Sequence, residues 1–197
     1  MILRRYLLGL TLALTSLGFA QAQTLAPQVK FTTSAGEFVI ELYPDKAPNT
    51  VENFLAYVRD GHYNGLIFHR VIINFMIQGG GYDARYMEKP TRPPIKHEGV
   101  EVKAKGGPTN TVGTIAMART NNPHSASSQF FINVNNNEFL NHSAPSAQGW
   151  GYVAFGKVVS GMEVVNKIKT TPTGAGGPFP SDVPQTQVVI QSAALVK

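Results

Sequence analysis

Short β-forming runs follow one another along this chain, and only two stretches show helical periodicity. Gln28-Val-Lys-Phe-Thr-Thr alternates apolar and polar side chains, and Ser34-Ala-Gly36 supplies a turn. Glu37-Phe-Val-Ile-Glu-Leu-Tyr43 then puts Phe38, Ile40 and Leu42 on one face, as period two requires. Further strand-like runs lie at 66–72, 75–79, 111–118, 129–134, 152–158 and 187–196, giving about eight strands, with a shorter one near Ile95-Lys96-His97. The first helix is expected after a cap at Asn49 or Thr50, with Val51, Phe54, Leu55 and Val58 as its apolar stripe and Asp60-Gly61 as its stop. The second spans 162–168, with Met162, Val165 and Ile168 inward. So many strands and so few helices leave open sheet edges uncovered. Closing the sheet, with the last strand beside the first, removes them. The expected fold is mainly β: a closed eight-stranded antiparallel barrel capped by two α-helices.

At 197 residues and 43% hydrophobic, the chain has material for one core. Its beginning reads as a secretory leader. Arg4-Arg5 gives a basic start, residues 6–14 form an apolar run, and Ala20-Gln21-Ala22 is a small-residue cleavage pattern. The alternative is a retained membrane anchor, against which the apolar run is well short of the roughly 20 residues a span needs. The expected division is a signal peptide at 1–22 and one domain at 23–197, with a periplasmic or secreted location after cleavage near Ala22. The chain has no Cys, so an exported product holds together by packing alone. Loss of Arg4 and Arg5 with the leader lowers the net charge from +5 to +3. No Lys/Arg cluster is dense enough to argue for nucleic acid.

Most chemical motifs are missing. There is no G-x-S-x-G, no H-E-x-x-H and no thiol nucleophile. His62, His69, His97, His124 and His142 lack metal-ligand spacing, so no metal is expected. Asp45, Asp60, Glu88, Glu98 and Glu101 fall in or beside turns and loops, where solvation accounts for them. Gly79-Gly80-Gly81 lacks the helix start and the Lys-Ser/Thr pair of a phosphate loop. What remains is a set of polar groups among apolar ones. Phe68-His-Arg-Val-Ile-Ile-Asn-Phe-Met-Ile-Gln-Gly-Gly80 carries Arg70 and Gln78 inside an apolar stretch, and Gln129 precedes Phe130-Phe131. Alternation puts Gln129 and Phe131 on one side of a strand and Phe130 on the other. From the pattern alone, Arg70 either pairs with a carboxylate and braces the barrel or faces a ligand.

Four blocks carry a resemblance: FHRVI with FMIQGGG at 68–81, GTIAMART at 113–120, SQFFIN at 128–133 and FGKVVSGMEVV at 155–165. They resemble the cyclophilin-type peptidyl-prolyl cis-trans isomerases, in family order, from about residue 28 to 196. Gln148-Gly-Trp-Gly-Tyr152 is similar to the bacterial, exported branch. The resemblance implies the same capped barrel, with proline-containing peptides and unfolded exported proteins bound on its outer face. It implies that Arg70 is the catalytic arginine and that Phe75, Met76, Phe131 and Leu140 line a proline pocket. Gln78, Gln129 and the backbone at Ala118-Arg119 would hold the peptide main chain, and Tyr152 would also bind substrate. No bond is broken in the implied reaction, so no cofactor is expected, and His69 reads as support rather than as a base. A monomer without stable membrane insertion after cleavage is expected. Ile73-Asn74 departs from the family's usual turn, though Asn tolerates left-handed backbone. Phe139 and Tyr152 stand where the cyclosporin-sensitive members carry Trp and His, which implies weak cyclosporin binding. Two other classes fit the pattern less well: a proline-peptide binding module or chaperone with incidental catalysis, and a small-ligand barrel of the lipocalin type.

Overall fold

The first hairpin forms as its alternation dictates. In the computed structural model, which describes residues 26–196, β1 (Gln28–Thr33) pairs antiparallel with β2 (Gly36–Leu42), Val29 opposite Ile40 and Phe31 opposite Phe38. The expected leader at 1–22 and the expected domain start at 23 lie outside the described residues. Five strands follow: β3 (Leu66–Ile72), β4 (Met76–Asp83), β5 (Thr114–Met117), β6 (Phe130–Asn133) and β7 (Ala154–Ser160). A separate hairpin, β8 (Thr173–Gly176) with β9 (Phe179–Pro184), comes before the last strand, β10 (Ile190–Leu195). The main sheet has eight antiparallel strands in the order β10-β1-β2-β7-β5-β6-β4-β3. Its outer strands nearly meet. Ile67 bridges Val189, and the Phe68 and Gly65 N–H groups donate to the Val188 and Ile190 carbonyls at 3.0 and 2.8 Å.

The lumen is packed with side chains, as an eight-stranded barrel requires. Phe31, Phe38, Phe54, Tyr63, Phe130 and Phe155 are all fully buried there, with Phe31 stacked on Phe38 at 5.0 Å and Phe54 edge-on to Phe130 at 6.0 Å. A ligand-holding barrel interior is therefore not what this sequence builds.

Helix α1 (Pro48–Arg59) buries Val51, Phe54, Leu55 and Val58 in that core. Its cap departs from expectation. Neither Asn49 nor Thr50 is the capping residue; that position is Ala47, followed by Pro48, and no side chain of the helix caps it. The first turn is satisfied instead by Glu98, which lies 49 residues along the chain from Asn49. Its carboxylate accepts from the N–H and side-chain amide of Asn49 at 3.0 and 2.9 Å, and from the N–H and hydroxyl of Thr50 at 2.7 and 2.6 Å. An anion suits the positive end of a helix dipole. Glu98 is thus buried, at 4% exposure, rather than a solvated loop residue. It sits just before a short helix, α2 (Gly99–Ala104), too brief to show a period. Helix α3 (Met162–Lys169) starts after left-handed Gly161 and buries Val165 and Ile168. Around residue 95 there is a single bridge, Ile95 to Ala126, and not a strand.

Candidate active site

A bulge in β3 decides where Arg70 points. Phe68 pairs with Gly79 and Arg70 with Gln78, so β3 advances two residues while β4 advances one. His69 is the extra residue. Unbroken alternation would put Arg70 on the face of Phe68, which is wholly buried in the lumen. The bulge turns it to the outer surface. Val71 and Ile77 then return to the core, while Ile72 and Met76 share the outer face with Arg70 and Gln78. The facing glycines permit this closeness. A Cβ on Gly81 would sit 2.7 Å from the Gln129 side chain, so Gly79-Gly80-Gly81 is strand over which side chains lie flat.

Pairing extends the row. Gln78 is opposite Phe131, Phe131 is opposite Ala116, and Ala116 is opposite Ala154. Phe130 goes to the lumen and Phe131 to the outer face, as alternation requires. There Phe131, Met76, Ala116, Leu140 and Ala154 form a second apolar cluster, with Phe75, Ala118 and Tyr152 packed around it. Leu140 arrives on a 3-10 turn, Glu138–Leu140. The result is a cleft of about 340 Å³ lined by Arg70, Phe75, Met76, Gln78, Ala118, Arg119, Phe131, Leu140 and Tyr152. Gln129 sits in an adjoining recess of about 180 Å³ that shares Gln78, Ala118 and Arg119 as its wall. Gln78 Nε2 donates to Gln129 Oε1 at 3.0 Å, which joins the two.

The Arg70 side chain is 45% exposed and forms no hydrogen bond among the described residues; its charge neighbour, Asp182, keeps Oδ2 3.9 Å from Nε. A guanidinium with its donors unspent is not a structural brace. Arg119 is the contrary case. Its Nε donates to Gly151 O at 2.9 Å, Nη1 donates to Thr120 O at 2.8 Å, and the guanidinium stacks 4.6 Å over the Tyr152 ring. It is a wall. Behind it, Ala118 N–H is already used by Gln129 O at 2.9 Å, so the Ala118 carbonyl and Arg119 N–H are the backbone groups left for a ligand. Asn121 and Asn122, beside this wall, serve their own exposed turn, where Asn122 Oδ1 accepts from His124 N–H. Phe139 stands 76% exposed at the cleft's edge, stacked on Phe75 at 5.8 Å.

The family model described as cyclophilin type peptidyl-prolyl cis-trans isomerase/CLD matches residues 28–195. The chain belongs to this family. It is 54% identical to peptidyl-prolyl cis-trans isomerase B of Escherichia coli, over 85% of this chain and 98% of that one. Isomerase A of Dickeya dadantii is 48% identical over 94% of this chain and 93% of its own. A Cryptosporidium parvum cyclophilin type isomerase, solved in the presence of the dipeptide Ala-Pro, superposes with a TM-score of 0.64 at 26% identity, covering 86% of this chain and 99% of that one.

Beneath the cleft this cyclophilin carries an asparagine network. Asn133 is 0% exposed on β6 and donates to Asn110 Oδ1 at 3.1 Å and Thr114 Oγ1 at 3.0 Å. Asn137 donates to Asn133 Oδ1 at 2.7 Å and to the Phe75 carbonyl at 2.8 Å. Asn110 donates to the carbonyls of Leu140 and Tyr152 at 3.3 and 3.1 Å. Three cleft residues that do not lie on strands, Phe75, Leu140 and Tyr152, are thus posted on one buried network. In the sequence its only signal is Asn133, a polar residue ending an apolar strand.

His69, beside the guanidinium, is buried between Tyr82 and Phe179, with ring centroids at 4.8 and 5.5 Å, and its Nδ1 has no partner among the described residues. Burial, with the Arg70 charge adding, pushes its pKa down from 6.5 to about 4. His97 is likewise pushed down to about 4, chiefly by burial. Between these values and 6.5 the unfolded chain binds the proton better, so stability is full near neutrality and is lost as pH falls. Urea midpoints should drop between pH 6.5 and pH 4, with His69 alone accounting for about 2 kcal/mol. His69→Phe should remove that share. A variant as acid-sensitive as the parent would exclude His69 from the effect.

Proposed function

We propose that this cyclophilin accelerates cis-trans rotation of X-Pro peptide bonds in proline-containing peptides through Arg70. The observation that carries the reading is a half-exposed guanidinium with no hydrogen bond among the described residues, in one row with Gln78 and Phe131 above an apolar floor. The barrier to rotation, about 20 kcal/mol, comes from amide resonance. In the twisted state the prolyl nitrogen becomes pyramidal and regains a lone pair. A donor aimed at that lone pair binds the transition state better than either ground state, and only such differential binding speeds the step. Arginine suits this because it stays protonated and its fork is rigid.

In this reading the ring of proline lies on Phe131, Met76, Leu140 and Phe75. The main chain around it meets Gln78, Gln129, the Ala118 carbonyl and the Arg119 N–H, while the far side of the peptide swings. One chain supplies every residue named, so a monomer suffices. The test is catalysed isomerisation of a short X-Pro peptide, wild type against Arg70→Ala; equal rates would remove Arg70 from the mechanism.

The clients in this reading are unfolded exported proteins, because the first 22 residues have the three-part pattern of a leader. N-terminal sequencing of the secreted or periplasmic product should begin at Gln23. A product that keeps its first residues and sediments with membranes would contradict export by cleavage.

A further inference from the structure

The hairpin β8–β9 contributes a charge to the cleft from outside the barrel. Its register is irregular. Gly174 pairs with Val183 and Gly176 with Phe179, so Ala175 alone faces Pro180, Ser181 and Asp182. Such bulges re-aim side chains. Within this one Asp182 has φ of 65°, in the left-handed region that asparagine and aspartate enter most readily among residues with a side chain. The hairpin is fixed in place by Phe179, which stacks on His69 at 5.5 Å and meets Tyr82 edge-on at 5.1 Å. His69 is the bulged residue next to Arg70. Two bulges, one on each side, therefore bring the Asp182 carboxylate within 3.9 Å of Arg70 Nε.

We infer that Asp182 is a positioning residue for catalysis: it biases the Arg70 guanidinium by attracting its Nε side, leaving the terminal N–H groups of the fork for the prolyl nitrogen. A hydrogen-bonded pair would lock the side chain. A carboxylate just beyond hydrogen-bond range, itself 37% exposed, steers it and leaves it free to follow the substrate. The inference rests on the isomerase reading above, and its test separates the two.

Asp182→Asn removes the charge and keeps both the shape and the left-handed backbone preference, so the fold should survive with an unchanged urea midpoint. The expected result is a kcat lowered about fivefold with KM for an X-Pro peptide nearly unchanged, the scale of one partly exposed charge pair. The Nε–H resonance of Arg70 should move in a nitrogen-15 spectrum of the free protein. In an Arg70→Ala background the same substitution should change nothing further. Wild-type kcat in Asp182→Asn, an unmoved Nε–H resonance, or an equal loss in the Arg70→Ala background would each overturn the role of Asp182. A wild-type chain without isomerase activity would sink the isomerase reading instead, and the resonance would still report on the pairing.

Discussion

Arg70→Ala should lower kcat/KM for isomerisation of an X-Pro peptide by about 10²-fold or more, the cost of one transition-state donor. The fold should be untouched. The Arg70 side chain makes no hydrogen bond among the described residues and its ion-pair distance to Asp182 is 3.9 Å, so little stability leaves with it. Arg70→Lys keeps the charge and loses the planar fork, and should recover only part of the rate. Peptide affinity should change far less than turnover, because the apolar floor and the two glutamines are intact. A chaperone with incidental catalysis predicts otherwise. Its benefit to a client without cis prolines would survive Arg70→Ala, whereas an isomerase confers none on such a client.

Asn133→Ala should cost about 3 kcal/mol in a denaturant titration, although the residue touches no solvent and lies beneath the cleft rather than in it. The substitution strands Asn110 Oδ1 and takes one partner each from Thr114 Oγ1 and the Asn137 amide, which keep their bonds to the Thr111 and Phe75 carbonyls. Leaving a buried polar group unpaired is more expensive than the net value of the bond it made. The consequence reaches the groove, because Asn137 and Asn110 hold the carbonyls of Phe75, Leu140 and Tyr152. KM for the peptide should therefore rise in the folded variant, measured well below its unfolding midpoint. An unchanged midpoint would mean that the network carries no stability, and an unchanged KM that it does not position the pocket.

Much of this is legible in the sequence. Period two assigned Phe38, Ile40 and Leu42 to the core and separated Phe130 from Phe131, because a strand's geometry leaves no other choice. Where alternation fails, the sequence alone misleads. Counting from Phe68 sends Arg70 into the lumen; only the bulge at His69, invisible without a partner strand, brings it out. The ten expected groove residues gather in one cleft and its adjoining recess. The long-range supports did not announce themselves. Glu98 caps a helix nearly fifty residues away, and Asp182 reaches Arg70 across more than a hundred residues, through a hairpin whose Gly and Pro content reads as loop. Propensity and period are local signals, and these contacts are set by packing of distant elements.

The most direct test is a crystal structure of this protein with an X-Pro peptide in the cleft. The expected arrangement has the proline ring on Phe131, Met76 and Leu140, with a terminal N–H of Arg70 within hydrogen-bond reach of the prolyl nitrogen. A guanidinium turned from that nitrogen, with all its donors spent on Asp182 or on solvent, would contradict the account.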